Sequence, residues 1–278
     1  MSDRPQLVAT DLDGTLLRTD GTVSDRTVAV LRTVERSGVQ IVIVTARPPH
    51  WMHQLLDVIG EHGLAICANG AFVYDVVGRQ VLREHTLGRA AVAEIAADLR
   101  QALPGIAFAV ERRDGPGREP SFVERHPVPP GSPVAALEEL IDPLPGKLLA
   151  RHENLDPEEF VAAVTQVIGD RAVVAHSGAG GLAEISAVGV TKAAALTDWC
   201  AEHEVDPNDV WAFGDMPNDV PMLAWAGRSY AVANAHPDAV AAATHRCGSN
   251  DDDGVARVLA DAFGLRPHAS DAGDRLDA

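Results

Sequence analysis

The chain has 278 residues, 46% hydrophobic and 23% charged, an ordinary globular composition long enough for one large or two ordinary domains. Its formal net charge of -17 argues against nucleic acid or an anionic membrane as the main partner, and an anionic ligand would need positive charge gathered locally. No apolar run approaches a membrane span, no signal peptide is visible, and Cys67, Cys200 and Cys247 lack metal-type spacing, which together point to free thiols in a cytoplasmic protein.

In chain order, Leu7–Thr10 reads as a strand and Asp25 to Ser37 as a helix, with Val28, Leu31 and Val34 at helical spacing and Gly38 as its stop. The β-branched run from Val39 to Val44 reads as a buried parallel strand, Pro48 to Ile59 as a helix, and Leu64 to Ala68 as a short strand closed by Asn69-Gly70. Strand-helix alternation with continuous apolar strands predicts a parallel sheet covered on both faces. The pattern changes after about residue 82. Ala90 to Leu103 and Pro157 to Ile168 read as helices, Glu111 to Pro133 as loop or sheet edge, and Ala172 to His176 as a strand. From about Lys192 the first pattern returns. Ala193 to His203 is helical, Val210 to Phe213 is a strand ending in Gly214-Asp215, Asp219 to Ala226 is helical and Tyr230 to Val232 is a last strand. The polar stretch after Leu265 reads as a disordered tail.

Four polar groups from distant positions, Asp11 with Asp13, Thr45, Asn69 and Asp215, fall at strand ends, where parallel α/β sheets bind ligands. Asp11-Leu12-Asp13-Gly14-Thr15 places two carboxylates two residues apart, on one side of an extended backbone, and such a pair needs a cation or proton between its charges. Thr45, before Ala46-Arg47, offers a hydroxyl at a predicted helix N-terminus, suited to a phosphate oxygen, although a simple helix cap has the same pattern. Lys192, in Gly189-Val190-Thr191-Lys192, opens a helix against its dipole; it is either a solvated side chain or the neutraliser of a bound anion. Gly214-Asp215-Met216-Pro217-Asn218-Asp219 gathers hard oxygen ligands that suit Mg²⁺, or forms an Asx-turn with a cap.

In this order, Asp11-Leu12-Asp13-Gly14-Thr15, Thr45, Lys192 and Gly214-Asp215 with Asn218-Asp219 resemble the haloacid dehalogenase (HAD) superfamily of phosphohydrolases. Asn69-Gly70-Ala71, Glu184-Ile185, the Gly-Val-Thr-Lys run and Met222-Leu223 resemble its Cof-type, sugar-phosphatase-like branch. The branch often has Thr-Gly-Arg where this chain has Thr45-Ala46-Arg47, and Pro and Gly where this chain has Ala187 and Ala193; none of these departures removes a side chain with a chemical role. The resemblance implies an α/β fold, a Rossmann-like HAD core with a parallel sheet and helices on both faces, plus a smaller α+β cap. The stretch from Asp13 to Thr45 has no room for a cap beside its helix, whereas the stretch from Thr45 to Lys192 does. The implied division is a discontinuous core of residues 1–82 and 187–265, a cap of residues 83–186 that covers the site and selects substrate, and a tail of residues 266–278.

The resemblance also implies a mechanism. Asp11 attacks phosphorus to form an aspartyl-phosphate, while Asp13 protonates the leaving oxygen and then takes a proton from water. An Asp at position 13, where ion-pumping relatives carry Thr, implies a phosphatase or phosphomutase. Mg²⁺ would be held by Asp11, the Asp13 carbonyl and Asp215, with Asp219 binding directly or through water. Thr45, backbone N–H groups near Leu12 and Ala46, and Lys192 would hold phosphoryl oxygens, and Asn218 would contact phosphate or substrate. The expected partner is a small phosphate ester. A phosphomutase or phosphotransferase, or a non-catalytic phospho-ligand binder, shares the fold; the sequence leaves the substrate and the oligomeric state open. Arg112, Arg113, Arg125, His126, His176 and Glu184 are candidates for substrate choice, with solvated surface as the plainer reading for each Arg. His50, Met52 and His53, near Trp51, read as surface helix residues, and Ser177-Gly178-Ala179-Gly180-Gly181 as a turn.

Overall fold

The computed structural model describes residues 4–55, 63–175 and 180–265. The first half of the chain forms β1 (Leu7–Thr10), α1 (Asp25–Arg36), β2 (Gln40–Val44), β3 (Leu64–Cys67), β4 (Phe72–Asp75), β5 (Gln80–Glu84), α2 (Arg89–Ala102), β6 (Ala107–Arg112), β7 (Gly115–Arg118) and the short α3 (Leu137–Leu140). The second half forms β8 (Lys147–Arg151), α4 (Pro157–Ile168), β9 (Val173–Ala175), β10 (Leu182–Ser186), α5 (Lys192–Glu202), β11 (Val210–Gly214), α6 (Val220–Trp225), β12 (Arg228–Ala231), α7 (Pro237–Ala242), β13 (His245–Arg246) and α8 (Gly254–Phe263). Two compact units result: residues 1–43, 55–63 and 200–278, and residues 44–54 with 64–199. The second contains the whole of the expected insert.

In the first unit the strands run parallel in the order β13-β12-β11-β1-β2. Leu7–Thr10 lie in register with Val210–Phe213 on one side and Gln40–Ile43 on the other, which brings the carboxyl ends of β1 and β11 level. Both are buried along their length, as their unbroken apolar sequences require. Helix α1 starts where the Ser24 side chain accepts the Thr27 N–H at 3.0 Å, buries Val30, Leu31 and Val34, and packs against α8. On β11 and β12 lies α6.

The second unit carries two antiparallel layers. Strands β3, β4 and β5 form a meander, so antiparallel pairing begins between β3 and β4. The reason is local: Ala68, Asn69 and Gly70 have φ of 52, 59 and 106, a run of left-handed residues that folds the chain straight back. A five-stranded sheet follows, in the order β7-β6-β8-β10-β9. One face packs Phe108, Val110, Leu148, Ala150, Ala183 and Ile185 against α2 and α4 in a single apolar core. Alternation of side chains assigns Glu111, Lys147, Leu149, Arg151 and Glu184 to the other face, where Phe122 covers the Ala107 and Ala109 end. Capping explains α4: Asp156 accepts the Glu158 and Glu159 N–H groups at 2.9 and 3.2 Å, and Pro157 stands in the first turn.

Three expectations need correction. The Pro48–Ile59 segment is a 3₁₀-helix over Pro49–Leu55, and 56–59 lie outside the described residues. The helix expected from Asp219 is a 3₁₀ turn, Pro217–Asp219, followed by α6, because Pro217 and Pro221 each interrupt the bonding. The helical and apolar periodicities also pass over β4, β5, β6, β8 and β10, which the chain forms. The stretch after Leu265 and His176 to Ala179 lie outside the described residues. Among the described residues no helix is long and apolar enough to cross a membrane, and the three cysteines are free thiols.

Candidate active site

In the first unit, Asp11 extends β1 by one residue, its N–H donating to the Phe213 carbonyl at 2.9 Å. The chain then turns at once. The carbonyl of the fully buried Leu12 accepts from the N–H groups of Thr15, Leu16 and Leu17 at 3.4, 3.0 and 2.8 Å, with Gly14 at φ +78. Asp13 therefore lies in the turn, bridged to Leu17, and not on an extended strand beside Asp11. The two carboxylates differ accordingly: Asp11 is only 5% exposed and Asp13 is exposed.

Asp215 follows the level end of β11. Its Oδ1 accepts from the Thr15 hydroxyl at 2.9 Å, which fastens it to the Asp11 turn. A Cβ on Gly14 would stand 2.5 Å from Asp215 Oδ2, so only glycine allows this approach. Asp219 is fully buried, and its Oδ2 accepts the N–H groups of Asp215 and Met216 at 3.1 and 3.0 Å, closing the Gly214–Asp219 turn. Half-buried Asn218 sits in that same turn. Asp11, Asp215 and Asp219 each present a carboxylate oxygen, all within 4.8 Å of one another. Three buried carboxylates so close repel strongly unless a cation joins them, and an all-oxygen donor set fits a hard divalent ion.

Sequence reasoning passed over two residues that hold this geometry. Asn234 Nδ2 donates to the Gly14 carbonyl at 2.7 Å, and Asn250 Nδ2 to that of Leu17 at 2.9 Å. The strand-end rule that picked out Asp11 and Asp215 also applies to Asn234, just beyond β12. Asn250 carries no comparable signal.

In the second unit, Thr45 is fully buried after β2. Its N–H donates to Ile66 O at 2.8 Å, its carbonyl accepts from Asn69 N–H at 3.0 Å, and its Oγ1 accepts from Arg47 N–H at 3.0 Å. Since Oγ1 is used as an acceptor there, its own proton remains available to donate. The Ala46 carbonyl accepts from Lys147 Nζ at 2.9 Å. Lys192, the first residue of α5, is 2% exposed, which excludes the solvated reading. Preceding it, Thr191 Oγ1 accepts the Ala194 N–H at 3.1 Å. Lys147 and Glu184 form a buried ion pair, and Glu184 Oε2 also accepts from Asn69 Nδ2 at 3.0 Å. A lone Lys before an apolar strand gave no signal of this.

Of the other candidates for substrate choice, His176 lies outside the described residues, and Arg112, Arg113, Arg125 and His126 each have a partner within the second unit. Arg112 is buried, donating to the Leu140 and Asp142 carbonyls at 3.1 and 3.2 Å. Arg113 pairs with Glu84 and Arg125 with Glu153, each at 3.3 Å and in the open. The His126 ring meets Trp51 edge-on at 5.3 Å. Neither His50 nor Met52 is a surface residue: Met52 is fully buried, and burial lowers the His50 pKa to about 4, with a smaller contribution from His53. His53 Nε2 bonds the Tyr74 hydroxyl at 2.6 Å. Burial likewise raises the Glu111 pKa to about 8, with Glu124 and Glu184 adding to the rise and Lys147 opposing it.

Comparison with known proteins shows the family and the fold. The family model for haloacid dehalogenase-like hydrolases matches residues 8–259. A 5-amino-6-(5-phospho-D-ribitylamino)uracil phosphatase of Escherichia coli K12 is 27% identical over 266 residues, covering 91% of this chain and 94% of its own. A pyridoxal phosphate phosphatase of the same organism is 26% identical over 276 residues, covering 91% and 97%. The HAD phosphatase BT1666 of Bacteroides thetaiotaomicron superposes with a TM-score of 0.79 at 23% identity, over 95% of this chain and 97% of that one.

Proposed function

The chain belongs to the haloacid dehalogenase-like hydrolases, in their Cof-type, sugar-phosphatase-like branch, and on that premise we propose that this phosphoric monoester hydrolase cleaves small phosphate esters through an aspartyl-phosphate on Asp11. The observation that carries the reading is the buried trio of Asp11, Asp215 and Asp219. A divalent ion there, Mg²⁺ by the hardness of the donors, would offset the charge between nucleophile and phosphate. Asp11, Asp215 and the Asp13 carbonyl would hold it, with Asp219, one oxygen of which is committed to backbone N–H groups, binding through its other oxygen or through water.

Asp11 attacks phosphorus, and the leaving alcohol takes the proton of Asp13. Water then attacks the acyl phosphate, giving its proton to Asp13 and releasing phosphate. The unlike burial of the two carboxylates supports this division: the nucleophile is shielded and the proton carrier meets solvent. The Thr45 hydroxyl, the Ala46 N–H and Lys192 hold phosphoryl oxygens, and Asn218 contacts phosphate or substrate. Thr45 supports this with its free proton, and Lys192 with its burial at the start of α5. Residues 83–186 choose the leaving group. Names of the relatives place a ribitylamino-uracil phosphate and pyridoxal phosphate among the esters worth assay.

A panel of phosphomonoesters assayed with Mg²⁺ for release of inorganic phosphate tests the reading. Turnover should vanish in EDTA, return with Mg²⁺, and be absent in a folded Asp11→Asn variant. Chelator-insensitive turnover would reject the metal, and an active Asp11→Asn enzyme would reject the nucleophile.

A further inference from the structure

Resting on that reading, we propose that Lys147 is a positioning residue: it fixes the Ala46–Arg47 peptide and thereby aims the Thr45–Arg47 turn at a phosphate group. Each carbonyl of this turn has a separate partner. Asn69 N–H holds that of Thr45 at 3.0 Å, Ala68 N–H that of Arg47 at 2.8 Å, and Lys147 Nζ that of Ala46 at 2.9 Å. The first two come from the backbone of the neighbouring turn. The third comes from a side chain 101 residues away, at the start of β8.

Peptide planarity makes these anchors directional. In a trans peptide the N–H points opposite the carbonyl, so Asn69, by taking the Thr45 carbonyl, turns the Ala46 N–H the other way. In the next peptide the carbonyl goes to Lys147 and the N–H to Thr45 Oγ1, which holds that hydroxyl in one orientation. Both of the turn's proposed phosphate donors, the Ala46 N–H and the Thr45 hydroxyl, thus depend on groups that do not touch phosphate.

The anchors also close into a ring. Lys147 pairs with Glu184, Glu184 Oε2 accepts from Asn69 Nδ2, Asn69 N–H holds Thr45, and Thr45 is bonded through the chain to Ala46, which returns to Lys147. Lys147, Glu184, Asn69 and Thr45 are all buried. Because Glu184 neutralises Lys147, the ammonium adds little field of its own, and what it supplies is orientation. Buried ion pairs contribute little net stability against apolar replacements, so a role in aiming donors accounts better for this one.

The test is a titration with inorganic phosphate in the presence of Mg²⁺, followed by calorimetry and by the Ala46 amide resonance in ¹H–¹⁵N spectra. In the wild type that resonance should move with phosphate. Lys147→Met alone strands a buried Glu184 and can fail to fold. The double variant Lys147→Met/Glu184→Gln removes both charges, yet keeps an acceptor for Asn69. It should melt near the wild-type temperature but bind phosphate about tenfold more weakly, with kcat for p-nitrophenyl phosphate reduced more than KM is raised. Lys147→Arg, which retains a donor, should recover part of the affinity. Unchanged phosphate affinity in the folded double variant overturns the proposal while leaving the phosphatase reading intact. A wild type that neither binds phosphate nor hydrolyses the ester overturns both.

Discussion

Glu111 Oε2 and His50 Nδ1 lie 3.9 Å apart, yet at neutral pH they are not an ion pair, because burial keeps the acid protonated and the base neutral. The consequence is a stability profile with two opposed limbs. The carboxyl of Glu111 keeps its proton in the fold up to about pH 8 but loses it near 4.5 when unfolded, so it removes stability as pH rises through that window. His50 stays neutral in the fold down to about pH 4 but gains a proton below 6.5 when unfolded, so it removes stability as pH falls through that window. Between pH 4.5 and 6.5 the two slopes cancel. Above 6.5 only Glu111 acts, at about 1.4 kcal/mol per pH unit, for a loss of about 2 kcal/mol by pH 8. Urea unfolding of wild type and Glu111→Gln at pH 6.5 and 8 measures it. The variant should lose less stability than wild type over that range, and parallel losses in the two proteins would refute the assignment to Glu111.

Turns between elements, more than the elements themselves, set the site's geometry. Gly70 stands at φ +106, and a Cβ there would run into the Thr191 carbonyl, which accepts the Ala195 N–H at 3.1 Å in the first turn of α5. Gly38 has a similar φ of +92 but open space around it. Gly38→Ala should therefore cost only the left-handed backbone penalty, about 1 kcal/mol. Gly70→Ala adds displacement of the α5 start and should cost more, with weaker phosphate binding through Lys192. Equal shifts in urea midpoint for the two variants would show that the Gly70 contact carries no energy. Helix α1 was legible in the sequence because apolar periodicity and the Gly38 stop agree, and β1, β2 and β11 because buried parallel strands read as apolar runs. By contrast, β7, with the sequence Gly-Pro-Gly-Arg, has no strand signal of its own; pairing with β6 imposes its conformation. In the Asp11, Asp215 and Asp219 cluster, Asp11 and Asp215 were legible because each follows a strand, and Asp219 because it closes the turn after β11 and matches the family motif. Lys147 was not, because its partners Ala46 and Glu184 lie far from it along the chain and the partnership exists only in the fold.

Across the whole molecule, a chain of net charge -17 packs three of its carboxylates into one buried cluster, where at neutral pH their repulsion opposes folding. A divalent ion bound only by the folded state would convert this liability into a source of stability. By mass action it adds about 2.7 kcal/mol at a hundred times its Kd. At about 2–4 °C per kcal/mol for a chain of this size class, the melting temperature should rise by roughly 5–10 °C between EDTA and saturating Mg²⁺. Asp215→Asn separates charge from structure, since the amide oxygen can still accept from the Thr15 hydroxyl while the repulsion is relieved. In EDTA this variant should melt at or above the wild-type temperature, and Mg²⁺ should move it little. A wild type whose melting temperature ignores Mg²⁺ would remove the ion from the cluster. An Asp215→Asn protein that melts well below wild type in EDTA would instead assign Asp215 a structural bond stronger than the repulsion. The two measurements need no substrate, so they test the cluster independently of which ester the enzyme cleaves.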